Sequence, residues 1–190
     1  MASRYGARPV GSDGSDFQHR ERIVEPYNQS SLFKKRLRTA LTLHIALWVL
    51  VVLKILPEIL FRFRLVSRAF MRKHSVPLNE LWEYAWCFGS IIPVFFGYLS
   101  FTKNKVYLIR LSLIGTIVFG FVPIIMGCFL RASELMDYYY TKNSRHDFFN
   151  FPFVVILYVF FSVCIQIHCF TLYFSWKLMT IWSRLSKKAA

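Results

Sequence analysis

Charge in this chain is confined to the gaps between long uncharged stretches, and that segregation limits what the chain can fold into. Between Arg38 and Lys54 lie 15 residues with no acidic or basic side chain; between Glu83 and Lys103 there are 19, between Arg110 and Arg131 20, and between Asp147 and Lys177 29. A helix needs roughly 20 apolar residues to cross a hydrocarbon core of ~30 Å. Three runs meet that length unaided, and the first meets it if Lys54 sits near one end with its ammonium snorkelling to the headgroups. Backbone amides in hydrocarbon must pair within their own segment, so runs of this length are helices. The period-two alternation of a barrel is absent. The pattern therefore predicts an all-α membrane protein, a four-helix transmembrane bundle with spans at 39–58, 82–102, 107–130 and 153–175. A soluble domain would instead interleave polar and apolar residues at helix or strand period.

Composition removes two other classes. The net charge of +14 suggests a disordered or nucleic-acid-binding chain, but 55% of the residues are hydrophobic, which disordered chains lack. The basic residues are dispersed around the spans rather than gathered on one aromatic-bearing face, so no nucleic-acid partner is expected. Cys87, Cys128, Cys164 and Cys169 all fall inside spans, where they read as small apolar core residues. The first 30 residues contain no apolar core of a cleavable signal peptide, so the first span is expected to direct insertion.

Orientation follows from the excess of Lys and Arg in cytoplasmic segments. Eight basic residues lie in 1–38, two at Lys103 and Lys105 with Arg110 just inside the third span, and four in the tail; eight lie on the other side, five of them from Arg62 to Lys73. Both termini are thus predicted to be cytosolic: an N-terminal arm over 1–38, the transmembrane domain over 39–176, and a basic tail over 177–190. The sequon Asn28-Gln29-Ser30 should then stay unglycosylated. The eight basic residues on the lumenal side have no account at this level.

The chain ends Lys187-Lys188-Ala189-Ala190. Lysines three and four positions from a free C-terminus resemble the dilysine retrieval signal of endoplasmic reticulum membrane proteins, which the coat of Golgi-to-reticulum vesicles reads. The signal is an address rather than an anchor, and it must face the cytosol. In the arm, Phe17, Arg20, Val24 and Tyr27 recur at helical spacing and Asp16 is a candidate cap, so a short amphipathic helix on the membrane face is expected, limited by Pro26. A disordered arm is the alternative. The first span is expected to end near Pro57. In span 2, Gly89, Pro93 and Gly97 share a face that allows close helix approach and a kink. The short connection Thr102–Lys105 makes spans 2 and 3 a tight antiparallel hairpin. The polar residues inside the spans are His44, Lys54, Gln166 and His168. Such groups are costly and default to functional hypotheses. His44 and His168 both fall toward the cytosolic half, where a contact is geometrically allowed. They serve either as interhelical hydrogen-bonding groups, with Gln166 helping, or as a metal or proton site.

No HExxH, GxSxG or phosphate-cradling loop is present, and no catalytic residue, metal or cofactor is expected. The stretch from Gly11 to Arg22 resembles the N-terminal signature of the jagunal family. His44, Trp48 and Lys54 in the first span, Trp82-Glu83-Tyr84 opening the second, Gln166-x-His168 with Leu172-Tyr173 in the fourth, and the dilysine end extend the resemblance. The resemblance implies a non-enzymatic endoplasmic reticulum membrane protein with four spans, acting in reticulum organisation and early secretory traffic. On this basis the chain is expected to be an adaptor or organiser held in the bilayer. Lys187 and Lys188 would engage the retrieval coat, and Asp13, Asp16, Phe17, Arg20 and Arg22 would form a surface for a cytosolic protein partner. The oligomeric state, including a homo-oligomer, is left open. The alternative is a small membrane transporter or lipid-handling protein using His44, Gln166 and His168.

Overall fold

The computed structural model describes residues 15–67, 79–148 and 151–189; the side chains of 15–23 and 187–189 lie outside the described residues. The described chain is helical apart from short connections and one two-residue antiparallel pairing, β1 (Asp147–Phe148) with β2 (Phe151–Pro152). Three helical stretches are long and apolar enough to cross a membrane: Val24–Arg62, Val106–Leu130 and Phe153–Ser186. The protein is therefore an all-α membrane protein.

The first helix, α1 (Ser15–Arg62), has 48 residues and rises about 72 Å at 1.5 Å per residue. That is more than twice the thickness of a hydrocarbon core. It runs through both Pro26 and Pro57, so neither proline ends a helix as the sequence suggested. A proline removes one intrahelical bond but leaves the rest of the ladder intact. Beyond Pro57 the helix is held by Glu58, which accepts from Arg62 Nη2 at 2.9 Å and from the Asn79 amide and side-chain Nδ2 at 3.1 and 2.7 Å. The chain then leaves the helix through Arg64 in the left-handed region (φ 59°), with Leu65 N donating to Leu60 O and Arg64 N to Phe61 O. This bond pair satisfies the last carbonyls of α1.

The second apolar run forms two helices, α2 (Leu81–Gly89) and α3 (Ile91–Ser100), joined at Ser90. The break has a direct cause. Pro93 has no N–H for the carbonyl four residues before it, at Gly89, and its ring crowds that carbonyl. A five-residue connection, 101–105, leads into α4 (Val106–Gly115), a π-helical turn (Thr116–Phe121) and α5 (Val122–Leu130). The wide turn precedes Pro123, which cannot donate to the carbonyl of Phe119. The α2–α3 and α4–α5 segments run antiparallel over their whole length. Ser112 Oγ donates to Pro93 O at 2.7 Å, Pro93 packs over Gly115, Phe119 over Gly89 and Trp82 over Gly127. The small residues singled out in span 2 are thus the ones that let these helices approach. A short α6 (Ala132–Thr141) caps this end, and α7 (Phe153–Ala189) returns through the bundle as one helix that includes most of the basic tail.

α1 and α7 make the most extensive helix pair, and α7 also packs on α4. The core divides into two clusters. One contains Val51, Ile55, Trp82, Trp86, Ile124, Phe161 and Cys164. The other contains Leu37, Leu41, Val94, Ile109, Leu178 and Trp182. Outward-facing Leu50, Leu53, Phe95, Val122, Phe129 and Val159 are exposed. So much apolar surface suits acyl chains rather than water.

Candidate functional site

Between the two core clusters lies a buried polar group built from four elements. His44 comes from α1, Trp86 from α2, His168 from α7, and Gly120 with Phe121 from the π-helical turn. Both imidazoles are 1% exposed. Their ring centroids are 4.8 Å apart, His44 stacks on Trp86 at 5.4 Å with planes 16° apart, and Phe121 meets the His168 ring edge-on at 5.4 Å. His168 Nδ1 lies 2.5 Å from the carbonyl of Cys164, one turn back on α7. A carbonyl only accepts, so Nδ1 carries the proton and Nε2 holds a lone pair. Nε2 of His168, Nε2 of His44 and Nε1 of Trp86 have no hydrogen-bond partner among the described residues. Gly120 makes room for this arrangement: a Cβ there would lie 2.6 Å from His168 Nε2. The π-helical turn is what brings Gly120 to that ring, in keeping with the frequent placement of such turns at functional positions.

A second polar cluster sits at the end of the bundle near α6. Lys54 forms an ion pair with Glu83 and lies over the Phe153 ring at 5.4 Å. Arg131 bridges Glu80 (3.2 Å) and Glu134 (2.5 Å), and Glu80 also accepts from Trp82 Nε1 at 2.8 Å. Lys54 therefore turns inward to a carboxylate instead of snorkelling to headgroups. An unpaired ammonium at this depth is expensive, and Glu83 from the antiparallel neighbour lies at the same level. Among the described residues no group of three or more His, Cys, Asp or Glu is placed to hold a metal ion.

A family model described as "Jagunal, ER re-organisation during oogenesis" matches residues 1–186. The chain belongs to the jagunal family. The jagunal homolog of Caenorhabditis elegans is 34% identical over 190 residues, covering 98% of this chain and all of the relative. Jagunal homolog 1 of Homo sapiens is 34% identical over 182 residues, with 96% of this chain and 94% of the relative aligned. The jagunal protein of Drosophila melanogaster is 29% identical over 189 residues, with 96% and 95% covered.

In this jagunal chain the intramembrane residues expected from sequence separate into three places. His44 and His168 meet. Lys54 lies ten residues from His44, about 15 Å along α1, and joins the acidic residues of α2. Gln166 is exposed, so it does not assist the histidines; two residues along a helix turn a side chain by about 200°. Trp86 was missed because one more aromatic in a Phe-rich run carries no signature. In the sequence Glu83 marks the edge of an uncharged run and carries no sign of its pairing with Lys54. Asp13 lies outside the described residues. Asp16, Phe17, Arg20 and Arg22 are on the first turns of α1, and Lys187 and Lys188 on the last turn of α7; their side chains lie outside the described residues. The arm and tail are nevertheless joined where side chains are described. Trp182 Nε1 donates to the buried Ser30 Oγ at 2.8 Å, Lys34 lies over the Trp182 ring at 5.5 Å, and Phe33 packs against Tyr173 and Phe174.

Proposed function

We propose that this jagunal protein is a non-enzymatic adaptor or organiser of the endoplasmic reticulum membrane. In this reading it has four spans and both termini in the cytosol, and it is retrieved from the Golgi through Lys187 and Lys188. The observation that carries the reading is the clasp between Ser30 and Trp182. It joins the extensions of α1 and α7 beyond their apolar stretches, so arm and tail lie on one side as one helical pair. Termini on one side require an even number of crossings. The 20 residues from Leu81 to Ser100, bent at Ser90 but long enough for ~30 Å, supply the fourth. The excess of basic residues on that side supports a cytosolic orientation. The family description supports the reticulum as the place of action. The arm and tail then present a partner surface and a coat signal side by side.

The alternative, a transporter or lipid-handling protein, draws support from the unpartnered Nε2 atoms of His44 and His168, but Gln166 does not join them. Tagged protein carrying Lys187→Ser and Lys188→Ser is expected to leak from the reticulum to the Golgi or cell surface and to lose coat subunits on affinity capture. An unchanged reticular pattern with undiminished coat recovery would contradict the retrieval role. Under the transporter reading, His44→Ala would abolish function with location and abundance unchanged.

A further inference from the structure

At the level where arm and tail emerge, α4 and α7 border an open cleft of about 260 Å³ lined by Arg110, Met179, Thr180, Ser183 and Arg184. Both arginines are exposed, and neither guanidinium meets a carboxylate among the described residues. The sequence explains why: there is no Asp or Glu from Tyr84 to Ser133, nor from Phe148 to Ala190. Two segments without a single acidic residue thus place two cations in one cleft. Two guanidiniums bordering one cleft with no carboxylate partner attract an anion from outside the chain.

The depth of the cleft identifies the source of that anion. Arg110 and Arg131 bracket an uncharged run of 20 residues, which at 1.5 Å per residue spans about 30 Å, the thickness of the hydrocarbon core. Arg110 therefore lies at one hydrocarbon boundary, from which its long side chain can reach the lipid phosphates just outside it. Tyr107, one turn before Arg110 on α4, is exposed at this boundary, where aromatic side chains are enriched in membrane proteins. Below Arg110, exposed Ile114 and Ile117 continue down the membrane-facing surface, where an acyl chain would lie. Planar guanidinium forks match the oxygens of a phosphate, and the Ser183 hydroxyl offers a further donor. The Thr180 hydroxyl is already committed to Trp176 O at 3.0 Å.

We propose that the Arg110–Arg184 cleft binds the phosphate of an anionic phospholipid, with Ser183 donating to it and Met179 forming the apolar wall. Its lining, among the described residues, includes none of the basic run Lys34–Arg38 of α1. It rests on the proposed topology only for the choice of leaflet.

The test uses the full chain in phosphatidylcholine vesicles and reads quenching of tryptophan fluorescence by phosphatidylserine with brominated chains, placed in both leaflets. Arg110→Gln with Arg184→Gln is expected to raise the mole fraction of half-quenching by about tenfold. Lys103→Gln with Lys105→Gln, an equal loss of charge nearby, should shift it less than about twofold. Equal shifts in the two variants would reduce the effect to diffuse surface charge and overturn the proposal. Displacement of the brominated lipid by inorganic phosphate would assign the cleft to a free anion and also overturn it. If the glutamine variant does not fold, Arg110→Lys with Arg184→Lys retains the charge and loses the forks; it is expected to weaken quenching by about threefold, and unchanged quenching would contradict the site. Because both leaflets carry the lipid, a failed shift leaves the proposed topology untouched, and a wrong topology leaves the quenching result untouched.

Discussion

At the end of the bundle near α6, Lys54 meets Glu83, Arg131 bridges Glu80 and Glu134, Arg62 pairs with Glu58 and Arg145 with Asp137. At the opposite end, Lys34, Lys35, Arg36, Arg38, Arg110 and Lys177 have no carboxylate partner among the described residues, and several lie instead over aromatic rings. The acidic residues are divided accordingly. Glu58, Glu80, Glu83, Glu134, Asp137 and Asp147 belong to the first end, and the other four acidic residues all precede Pro26. A raw count of Lys and Arg therefore understates the asymmetry. Of the eight basic residues that count against a lumenal placement, Arg62, Arg131 and Arg145 have carboxylate partners, whereas the basic residues named at the arm-and-tail end have none among the described residues.

Removing one member of a buried pair should expose the contrast most strongly. Glu83→Ala strands the Lys54 ammonium, and a loss of about 3 kcal/mol is expected in unfolding of the protein in a mild detergent. Replacing both, Lys54→Met with Glu83→Leu, should restore most of it; a double variant as unstable as the single one would mean that the pair is not the source. The clasp at the other end is a single neutral hydrogen bond. Trp182→Phe keeps most of the ring volume and should cost about 1 kcal/mol, measured in the same way. Smallest of all, Lys35→Gln with Arg36→Gln should alter stability by less than about 0.5 kcal/mol. A loss as large as that of Glu83→Ala would erase the distinction between the ends.

The lengths of the uncharged runs were enough to locate the apolar core of every long helix, because the cost of charge in hydrocarbon is written directly into residue order. The extensions were not legible. Pro26 and Pro57 look like stops; past Pro57, Arg62 bonds Glu58 as a local i,i+4 pair, but Asn79, which also bonds Glu58, lies 21 residues away in the sequence. The contact between His44 and His168 could be anticipated from depth alone, since both lie toward one half of the bilayer. Its third member could not: Trp86 reaches the histidines from α2, and Gly120 reaches them through the widened turn ahead of Pro123. Gln166 shows the reverse error, since nearness in sequence to His168 placed it on the other face of the same helix.

The central claim is that the clasped, unpaired basic end faces the cytosol and the self-paired end faces the lumen. Glycosylation in sealed microsomes tests it most directly, using the natural acceptor at Asn28 and a second one made by Arg145→Thr, which completes the sequon Asn143-Ser144 with a hydroxyl residue. The account predicts a glycan on Asn143 of that variant and none on Asn28. A glycan on Asn28 with none on Asn143 would contradict it.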